Sequence, residues 1–114
     1  MMRFEDLEVW KKATRLSADI YRELKNLKDY GFKDQITRSG LSVPSNIAEG
    51  DELNTDKQAI NFFYIAKGSA AELLTQAIIA HEIGYLGKEH FVYIEDECLA
   101  ISGMLTKLIL ARKN

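Results

Sequence analysis

Apolar residues recur every three or four positions along this chain, which is the spacing that puts side chains on one face of an α-helix. No segment alternates in the way a half-buried strand does, and clusters of β-branched residues are absent. The pattern therefore predicts an all-α fold. The first segment with this period runs through Leu7, Trp10, Ala13, Ser17, Ile20, Leu24 and Leu27, and the last through Phe91, Ile94, Cys98, Ile101, Leu105 and Leu108.

Local signals divide the chain into four helices. We expect the first helix to end near Gly31, which can supply a left-handed cap. Thr55 with Gln58 fits a capping box that opens a long third helix, and Gly84 closes that helix. The predicted helices cover about 5–29, 33–53, 55–83 and 88–112 within one domain of residues 1–114. Four amphipathic helices with short links predict an antiparallel up-down four-helix bundle.

Composition excludes several classes of protein. The net charge of -2 gives no global drive toward nucleic acid or an anionic membrane. The single cysteine, Cys98, rules out an internal disulfide and fits a reducing cytoplasm. The first residues are too acidic for a signal peptide, and no apolar run reaches membrane-spanning length. We expect a soluble, cytoplasmic protein without membrane contact.

Small polar residues crowd one side of the second helix. Serine and asparagine are poor helix formers, and an ordinary solvated face carries lysine and glutamate instead. This arc therefore indicates that something packs or binds close to the helix. Its members are Arg38, Ser39, Ser42, Ser45, Asn46 and Glu49.

The only proline, Pro44, lies inside the same helix. Its ring presses on the carbonyl four residues earlier, and Gly40 at that position leaves room for the backbone to adjust. A tolerated kink explains Pro44 without any function. It does not explain the serine and asparagine arc.

The third helix carries more apolar surface than a bundle needs. Phe63, Ala70, Leu74 and Ile78 are expected to fill the middle of its core face. Ile65 and Ile79 fall outside that face, among Ser69 and Glu72. Exposed isoleucines beside the small-residue arc of the second helix favour a second buried surface, such as a subunit interface.

Two further residues of the third helix have competing interpretations. Lys67 lies inside the apolar arc, where it either extends its ammonium to water or pairs with a carboxylate across an interface. Gly68 begins a small-residue patch in mid-helix, where glycine costs about 1 kcal/mol relative to alanine. We expect another backbone to approach Gly68 closely, with the region around Gly40 and Ala48 as its partner. A ligand site is the alternative.

A basic stripe runs along the first helix. It consists of Lys11, Arg15, Arg22 and Lys25. Glu8 and Asp19 lie beside it, so a solvated face whose charges pair with each other is one interpretation. RNA or DNA binding through the stripe is the other, and repetition of the stripe around a ring would strengthen such binding.

Motifs for catalysis are missing. His81 and His90 have no neighbouring cysteine or histidine at metal-ligand spacing, and the Glu-x-x-His pairing of di-iron bundles does not occur. His81 is expected to be half-buried and hydrogen-bonded, and His90 exposed. Glycines are scattered instead of forming a phosphate loop. We expect no enzyme, catalytic residue, metal, cofactor or small-molecule substrate.

Several strings together resemble one protein family along essentially the whole chain. They are Phe4-Glu-Asp-Leu-Glu-Val-Trp10, Gln35-Ile-Thr-Arg-Ser-Gly-Leu-Ser-Val-Pro-Ser-Asn-Ile-Ala-Glu-Gly50, Ile65-Ala-Lys-Gly-Ser-Ala-Ala-Glu-Leu73 and Ile83-Gly-Tyr-Leu86. The chain resembles the 23S rRNA-intervening-sequence protein family, also called the four-helix bundle protein family. The resemblance implies a small bacterial protein that assembles into a five-fold ring and whose molecular role is unsettled. Related accessory proteins of diversity-generating retroelements bind nucleic acid and a reverse transcriptase through a basic ring surface.

One segment departs from the family pattern. Family members often carry an arginine or lysine cluster after the Glu-Gly pair, whereas this chain reads Asp51-Glu-Leu-Asn54. The acidic segment argues against nucleic-acid binding there.

The sequence therefore predicts a non-enzymatic homo-oligomeric bundle, a pentameric ring, that acts as a scaffold or binding protein. Its main partner is itself. Nucleic-acid binding and a monomeric bundle that binds another protein are the alternatives. The residues expected to make contacts between helices or subunits are Arg38, Ser42, Ser45, Asn46, Glu49, Ile65, Lys67, Ser69, Glu72 and Ile79.

Overall fold

The computed structural model describes residues 3–53 and 55–113. The predicted domain of residues 1–114 also includes Met1, Met2, Asn54 and Asn114, which lie outside the described residues. No strand occurs in the described ranges, and the predicted all-α fold with four helices is confirmed. The helices are α1 Glu8–Glu23, α2 Tyr30–Asp51, α3 Asp56–Glu82 and α4 Lys88–Arg112, preceded by a 3₁₀ turn at Phe4–Asp6.

Neighbouring helices run in opposite directions. Between α1 and α4, the Lys12 ammonium lies 2.9 Å from Glu97 Oε2, and the Tyr93 hydroxyl donates to Asp19 Oδ2 over 2.7 Å. Residue numbers therefore rise along α1 while they fall along α4. Contacts also join α1 to α2, α2 to α3 and α3 to α4. The molecule measures 44 × 20 × 20 Å, so the helices lie along its long axis.

One hydrophobic core receives side chains from all four helices. Burying a leucine, isoleucine or phenylalanine of this kind stabilises the fold by about 1.5–3 kcal/mol. The largest fully buried side chains are those of Leu16, Ile20, Ile36, Ile47, Phe63, Leu73, Ile101 and Leu105. None of the helices in the described ranges is long and apolar enough to cross a membrane.

The predicted end of the first helix is wrong. α1 stops at Glu23 instead of residue 29, and Gly31 does not cap it. Gly31 lies in the first turn of α2, because the Asp29 side chain accepts a hydrogen bond from the Phe32 backbone N–H (3.2 Å) and so starts α2 early. The aspartate that looked like part of a helix end is the N-cap of the next helix.

The predicted ends of α3 are confirmed. The Thr55 hydroxyl oxygen accepts a hydrogen bond from the Gln58 backbone N–H (3.2 Å), as expected for an N-cap. At the other end Gly84 has φ 83°, the one positive φ among the described residues. The Tyr85 N–H donates back to the Ala80 carbonyl over 2.7 Å, which closes the last turn in the manner of a glycine cap.

The core face of α3 differs in one respect from the prediction. Ile78 is 43% exposed and Leu74 only half-buried, so Ile78 does not fill the middle of that face. Three alanines, Ala66, Ala77 and Ala80, are fully buried instead. Their small side chains let α3 approach its neighbours closely, and Ile78 lies at the edge of the core face.

The close contact predicted for Gly68 is not found, and other glycines make such contacts instead. An added Cβ at Gly68 would meet nothing within 4 Å, so no backbone in the part of the chain that the structure describes approaches it. Gly40 instead faces α1, where an added Cβ would lie 3.8 Å from Ser17 Cα. The tightest position is Gly50, whose added Cβ would lie 2.9 Å from Phe63 Cε1.

Candidate functional site

The small polar residues of α2 meet those of α3 in a hydrogen-bonded row, which we call the α2–α3 seam. Ser42 and Ser69 share a hydrogen bond between their hydroxyls (2.8 Å). The Asn46 side-chain amide donates to both the carbonyl (2.8 Å) and the hydroxyl (2.9 Å) of Ser42. The Ser39 hydroxyl donates to Glu72 Oε1 over 2.9 Å. Two residues of the predicted arc, Ser39 and Ser42, thus contact α3 within one chain, and Asn46 supports Ser42 from within α2.

Exposed isoleucines stand beside this seam on α3. Ile65 and Ile79 lie seven residues before and after Glu72, so the three share one helix face. Ile65 is 50% exposed and Ile79 is 45% exposed, and Ile83 continues the row with more than half of its surface in solvent. We call Ile65, Ile79 and Ile83 the isoleucine ridge. It is an apolar strip next to the hydrogen-bonded side chains of the seam, although Gln76 Oε1 on the same helix is buried without a partner among the described residues.

Other predicted contact residues lie apart from the seam. Arg38 is exposed, and its guanidinium pairs with Asp34 Oδ2 at 2.9 Å. Within the chain this ion pair joins two residues of α2, because Asp34 lies one turn before Arg38, and a contact of Arg38 with another subunit stays a prediction. Glu49 is exposed. Lys67 is half-buried between Ile60 and Leu74 and so does not share the face of the ridge.

A groove that the sequence did not reveal lies where the 3₁₀ turn, α1 and α2 meet. We call it the aromatic groove. Phe4 and Trp10 pack edge to face there, with ring centroids 5.3 Å apart. Ser45, predicted to join the other contact residues, faces this groove instead of the seam. The cavity volume is about 310 Å³, and its lining consists of Phe4, Trp10, Thr14, Leu41, Pro44, Ser45 and Ala48.

The aromatic groove also holds an unmet polar group. The Thr14 hydroxyl oxygen is buried and has no hydrogen-bond partner among the described residues. A buried hydroxyl in that condition costs about 1–3 kcal/mol. Nearby Leu41 keeps 49% of its surface exposed. The groove therefore has exposed apolar surface beside a buried hydroxyl that has no partner among the described residues.

The basic stripe of α1 is partly neutralised. Lys11 lies 3.4 Å from Glu8 Oε1, and Arg22 lies 2.7 Å from Asp19 Oδ1. Such exposed pairs contribute about 0–1 kcal/mol each, so their effect on stability is small. They nevertheless place a carboxylate beside two of the four cations. Arg15 and Lys25 are exposed, and their role in nucleic-acid binding stays a prediction.

A second cleft, which we call the tyrosine–lysine cleft, lies between the end of α1 and the start of α2. The Lys33 ammonium lies 5.1 Å from the centroid of the Tyr30 ring and donates to the Lys25 carbonyl over 3.3 Å. Only Lys25 of the lining was predicted to bind a ligand, because the others join it only where the chain passes from α1 into α2. The lining consists of Tyr21, Lys25, Tyr30, Lys33, Asp34 and Thr37, around about 560 Å³.

The histidines have ordinary structural surroundings. As predicted, His81 is half-buried and hydrogen-bonded, with Nδ1 3.0 Å from the Leu86 carbonyl oxygen. Its ring also stacks on that of Phe91, with the ring centroids 4.8 Å apart. His90 is exposed, and its Nε2 lies 3.1 Å from Glu23 Oε2. Throughout the part of the chain that the structure describes, no three histidine, cysteine, aspartate or glutamate side chains form a cluster able to hold a metal ion.

The single thiol lies in the core. Cys98 is buried, and burial, assisted by the negative charge of Glu97, raises its pKa to about 12. A thiol in that condition holds its proton at neutral pH and is a poor nucleophile. Cys98 therefore contributes to the packing of the core.

Comparisons with known proteins identify a family and a solved structure that this chain resembles. The model of the 23S rRNA-intervening sequence protein family matches residues 5–107. A crystal structure of a protein of unknown function from the S23 ribosomal protein family of Bacteroides thetaiotaomicron is similar, with a TM-score of 0.83 and 26% identity. That similarity covers 89% of this chain and 97% of the Bacteroides chain. No match is found among curated proteins. Because the family model covers most of the chain, as the sequence resemblance predicted, this protein belongs to the 23S rRNA-intervening sequence protein family.

Proposed function

We propose that this protein is a non-enzymatic scaffold that assembles with copies of itself into a closed ring of five. The observation that carries the proposal is the pairing of two different apolar surfaces on one chain. The isoleucine ridge projects from α3, and the aromatic groove opens between α1 and α2. In the ring, the ridge of each subunit enters the groove of the next.

Two unlike surfaces favour a ring over a simple dimer. A two-fold dimer uses one patch that is complementary to itself, whereas a ridge that fits a groove elsewhere on the molecule joins subunits head to tail. Head-to-tail contacts close into a ring when the rotation between subunits permits. The number five comes from the family resemblance.

The dimensions of the ridge suit an interface. From Ile65 to Ile83 it extends about 27 Å at 1.5 Å per residue, which is much of the length of α3. Burying the exposed half of each isoleucine contributes about 1 kcal/mol. The polar groups of the α2–α3 seam are already hydrogen-bonded within the chain, so an interface can cover them without leaving donors unpaired.

The groove supplies the complementary half. Trp10, Phe4 and Leu41 offer apolar contact area. Aromatic anchors of this kind contribute strongly to protein interfaces. The single buried thiol supports a cytoplasmic location for the assembly.

Charge insertion in each surface tests the proposal. Leu41→Lys charges the groove and Ile79→Lys charges the ridge, and both side chains are exposed in the chain, so each variant should fold. Each variant alone should be a monomer of 13.0 kDa by light scattering. Mixed together they should form a one-to-one heterodimer and stop there, because one intact ridge meets one intact groove.

The matched control is a lysine at an exposed position of α4. Leu99→Lys places the same charge on exposed α4 surface, away from ridge and groove, and should leave the assembled mass unchanged. If either surface alone formed a self-complementary interface, one of the two variants would still assemble. That result, or a mixture that stays monomeric, would contradict the head-to-tail arrangement.

A further inference from the structure

The tyrosine–lysine cleft has the chemistry of a nucleotide site. We propose that it binds single-stranded nucleic acid, with a base against the Tyr21 ring and the phosphate backbone on Lys25 and Lys33. This site is separate from the ridge and groove, so it goes beyond the scaffold role and lies within a single chain.

The aromatic side of the cleft is open. Tyr21 is 49% exposed and Tyr30 is 68% exposed, which leaves ring surface in solvent at the end of the bundle. Every base has a flat π face, so an exposed ring binds single strands with little sequence preference. The Tyr30 ring is engaged by the Lys33 ammonium at 5.1 Å, and this contact holds the ammonium at the mouth of the cleft. Tyr21 is therefore the stacking residue.

The charge around the cleft is positive, although the chain as a whole is acidic. Residues 24–38 contain four basic side chains, those of Lys25, Lys28, Lys33 and Arg38. The two carboxylates in the same range, those of Asp29 and Asp34, already accept hydrogen bonds within the chain. Asp34 pairs with Arg38, and Asp29 accepts hydrogen bonds from Tyr85 and from the Phe32 backbone. The lining of the cleft itself carries the two ammonium groups of Lys25 and Lys33 and one carboxylate, that of Asp34, so its net charge is positive.

Other anionic partners fit the cleft less well. A phosphotyrosine peptide is usually held by arginine clusters that grip the phosphate with two hydrogen bonds, whereas the cations that line this cleft are lysines. A membrane surface requires a broad basic face, but Asp19 and Glu23 adjoin this end of α1. Aromatic rings alternating with lysines are typical of single-strand binding.

Fluorescence anisotropy with fluorescein-labelled oligothymidylate, on the whole protein, tests the proposal. Tyr21→Leu keeps apolar bulk but removes the ring, and it should weaken binding about fivefold or more. Lys25→Gln combined with Lys33→Gln should lower the slope of log affinity against log salt by about 0.7 per lysine. Circular dichroism should show an unchanged fold, because these side chains lie at the surface.

A matched variant separates a built site from general attraction. Lys11→Gln combined with Arg22→Gln removes the same charge from ion-paired positions on α1 and should leave affinity and salt slope unchanged. Equal losses in both double variants, unaffected binding by Tyr21→Leu, or equally tight binding of a DNA duplex would overturn the proposal. So would no binding at all, or a preference for phosphotyrosine peptides or for phosphatidylserine vesicles. Monomeric ridge variants should bind with the same pattern of losses, so failure of the ring and failure of the cleft are distinguishable.

Discussion

The hydroxyl groups of Ser42 and Ser69 lie 2.8 Å apart where α2 and α3 meet, and Asn46 holds Ser42 in place with two further hydrogen bonds. The side chains are short, so the two helices come close at this point. Because the groups satisfy one another, the seam can be covered by another subunit without loss of hydrogen bonds.

Asn46→Ala should destabilise the protein and weaken assembly. The substitution removes both bonds to Ser42, and each is expected to contribute about 0.5–1.5 kcal/mol net. Thermal melting and light scattering measure the two effects. Glu49→Ala, at an exposed position of the same helix, is the control and should change the melting temperature little. An unchanged melting temperature and mass for Asn46→Ala would remove the residue from both roles.

Gly50→Ala should destabilise the fold. Alanine is the better helix former by about 1 kcal/mol. However, its Cβ would lie 2.9 Å from Phe63 Cε1 and 3.1 Å from the Ala59 carbonyl oxygen, and overpacking of this kind costs about 1–3 kcal/mol. Urea denaturation should show a net loss. Gly103→Ala meets nothing within 4 Å and should instead stabilise the fold. Similar gains for both variants would show that the contact at Gly50 relaxes freely.

Substitution of Gly68 tests the assembly of subunits and not the folding of the chain. Because an added Cβ there meets nothing in the chain, Gly68→Ala should stabilise α3 by up to about 1 kcal/mol. If another subunit packs closely on this face, the same methyl group should weaken the assembly. Sedimentation at decreasing protein concentration measures that change, with Gly103→Ala as the control. Unchanged dissociation would mean that no backbone approaches Gly68 in the assembly.

Two threonines form a matched pair for the hydrogen-bond argument. The Thr37 hydroxyl donates to the Lys33 carbonyl over 2.7 Å, whereas the Thr14 hydroxyl oxygen has no partner in the described ranges. Thr14→Val should therefore stabilise the isolated chain by about 1 kcal/mol, and Thr37→Val should destabilise it by a similar amount. Urea denaturation of these variants in the Ile79→Lys background avoids any contribution from assembly. Destabilisation by Thr14→Val would indicate that its hydroxyl has a partner after all.

Asp29 gives the stability a defined dependence on pH. The Tyr85 hydroxyl, at 2.7 Å, and then the Phe32 backbone N–H lower the pKa of Asp29 below its ordinary value of 3.8. A lowered pKa in the folded state means that the stabilisation is present above pH 3.8 and is lost as the pH falls through the folded pKa. Tyr85→Phe should raise the Asp29 pKa toward 3.8, which NMR titration of the carboxyl carbon measures. An unchanged pKa would exclude the hydroxyl as the cause.

Helix periods and caps were readable from the sequence because each depends on nearby residues. Thr55 and Gly84 are local signals of this kind, and α3 begins and ends where they predict. Gly31 was misread because Asp29 suits a helix start as well as a turn after a helix end. Only packing decides between the two, through the bond from Tyr85, which lies 56 residues further along the chain.

The candidate surfaces were predictable only in part. Ile65 and Ile79 could be recognised as exposed, since helical spacing alone excludes them from the core face. The aromatic groove could not, because it depends on a 3₁₀ turn that brings Phe4 onto Trp10 and on its contact with α2. Ser45 was predicted to make the same kind of contact as Ser42, because the sequence does not show that the groove exists. The two serines are three residues apart but face different neighbours of α2.

Light scattering coupled to size-exclusion chromatography, at low and at physiological salt, tests the scaffold proposal most directly. The ring predicts a mass five times that of the 13.0 kDa chain at both salt concentrations, because its contacts are mainly apolar and salt screens them little. A monomer at 13.0 kDa under both conditions would contradict the ring and would leave the ridge and groove without a partner in the protein itself.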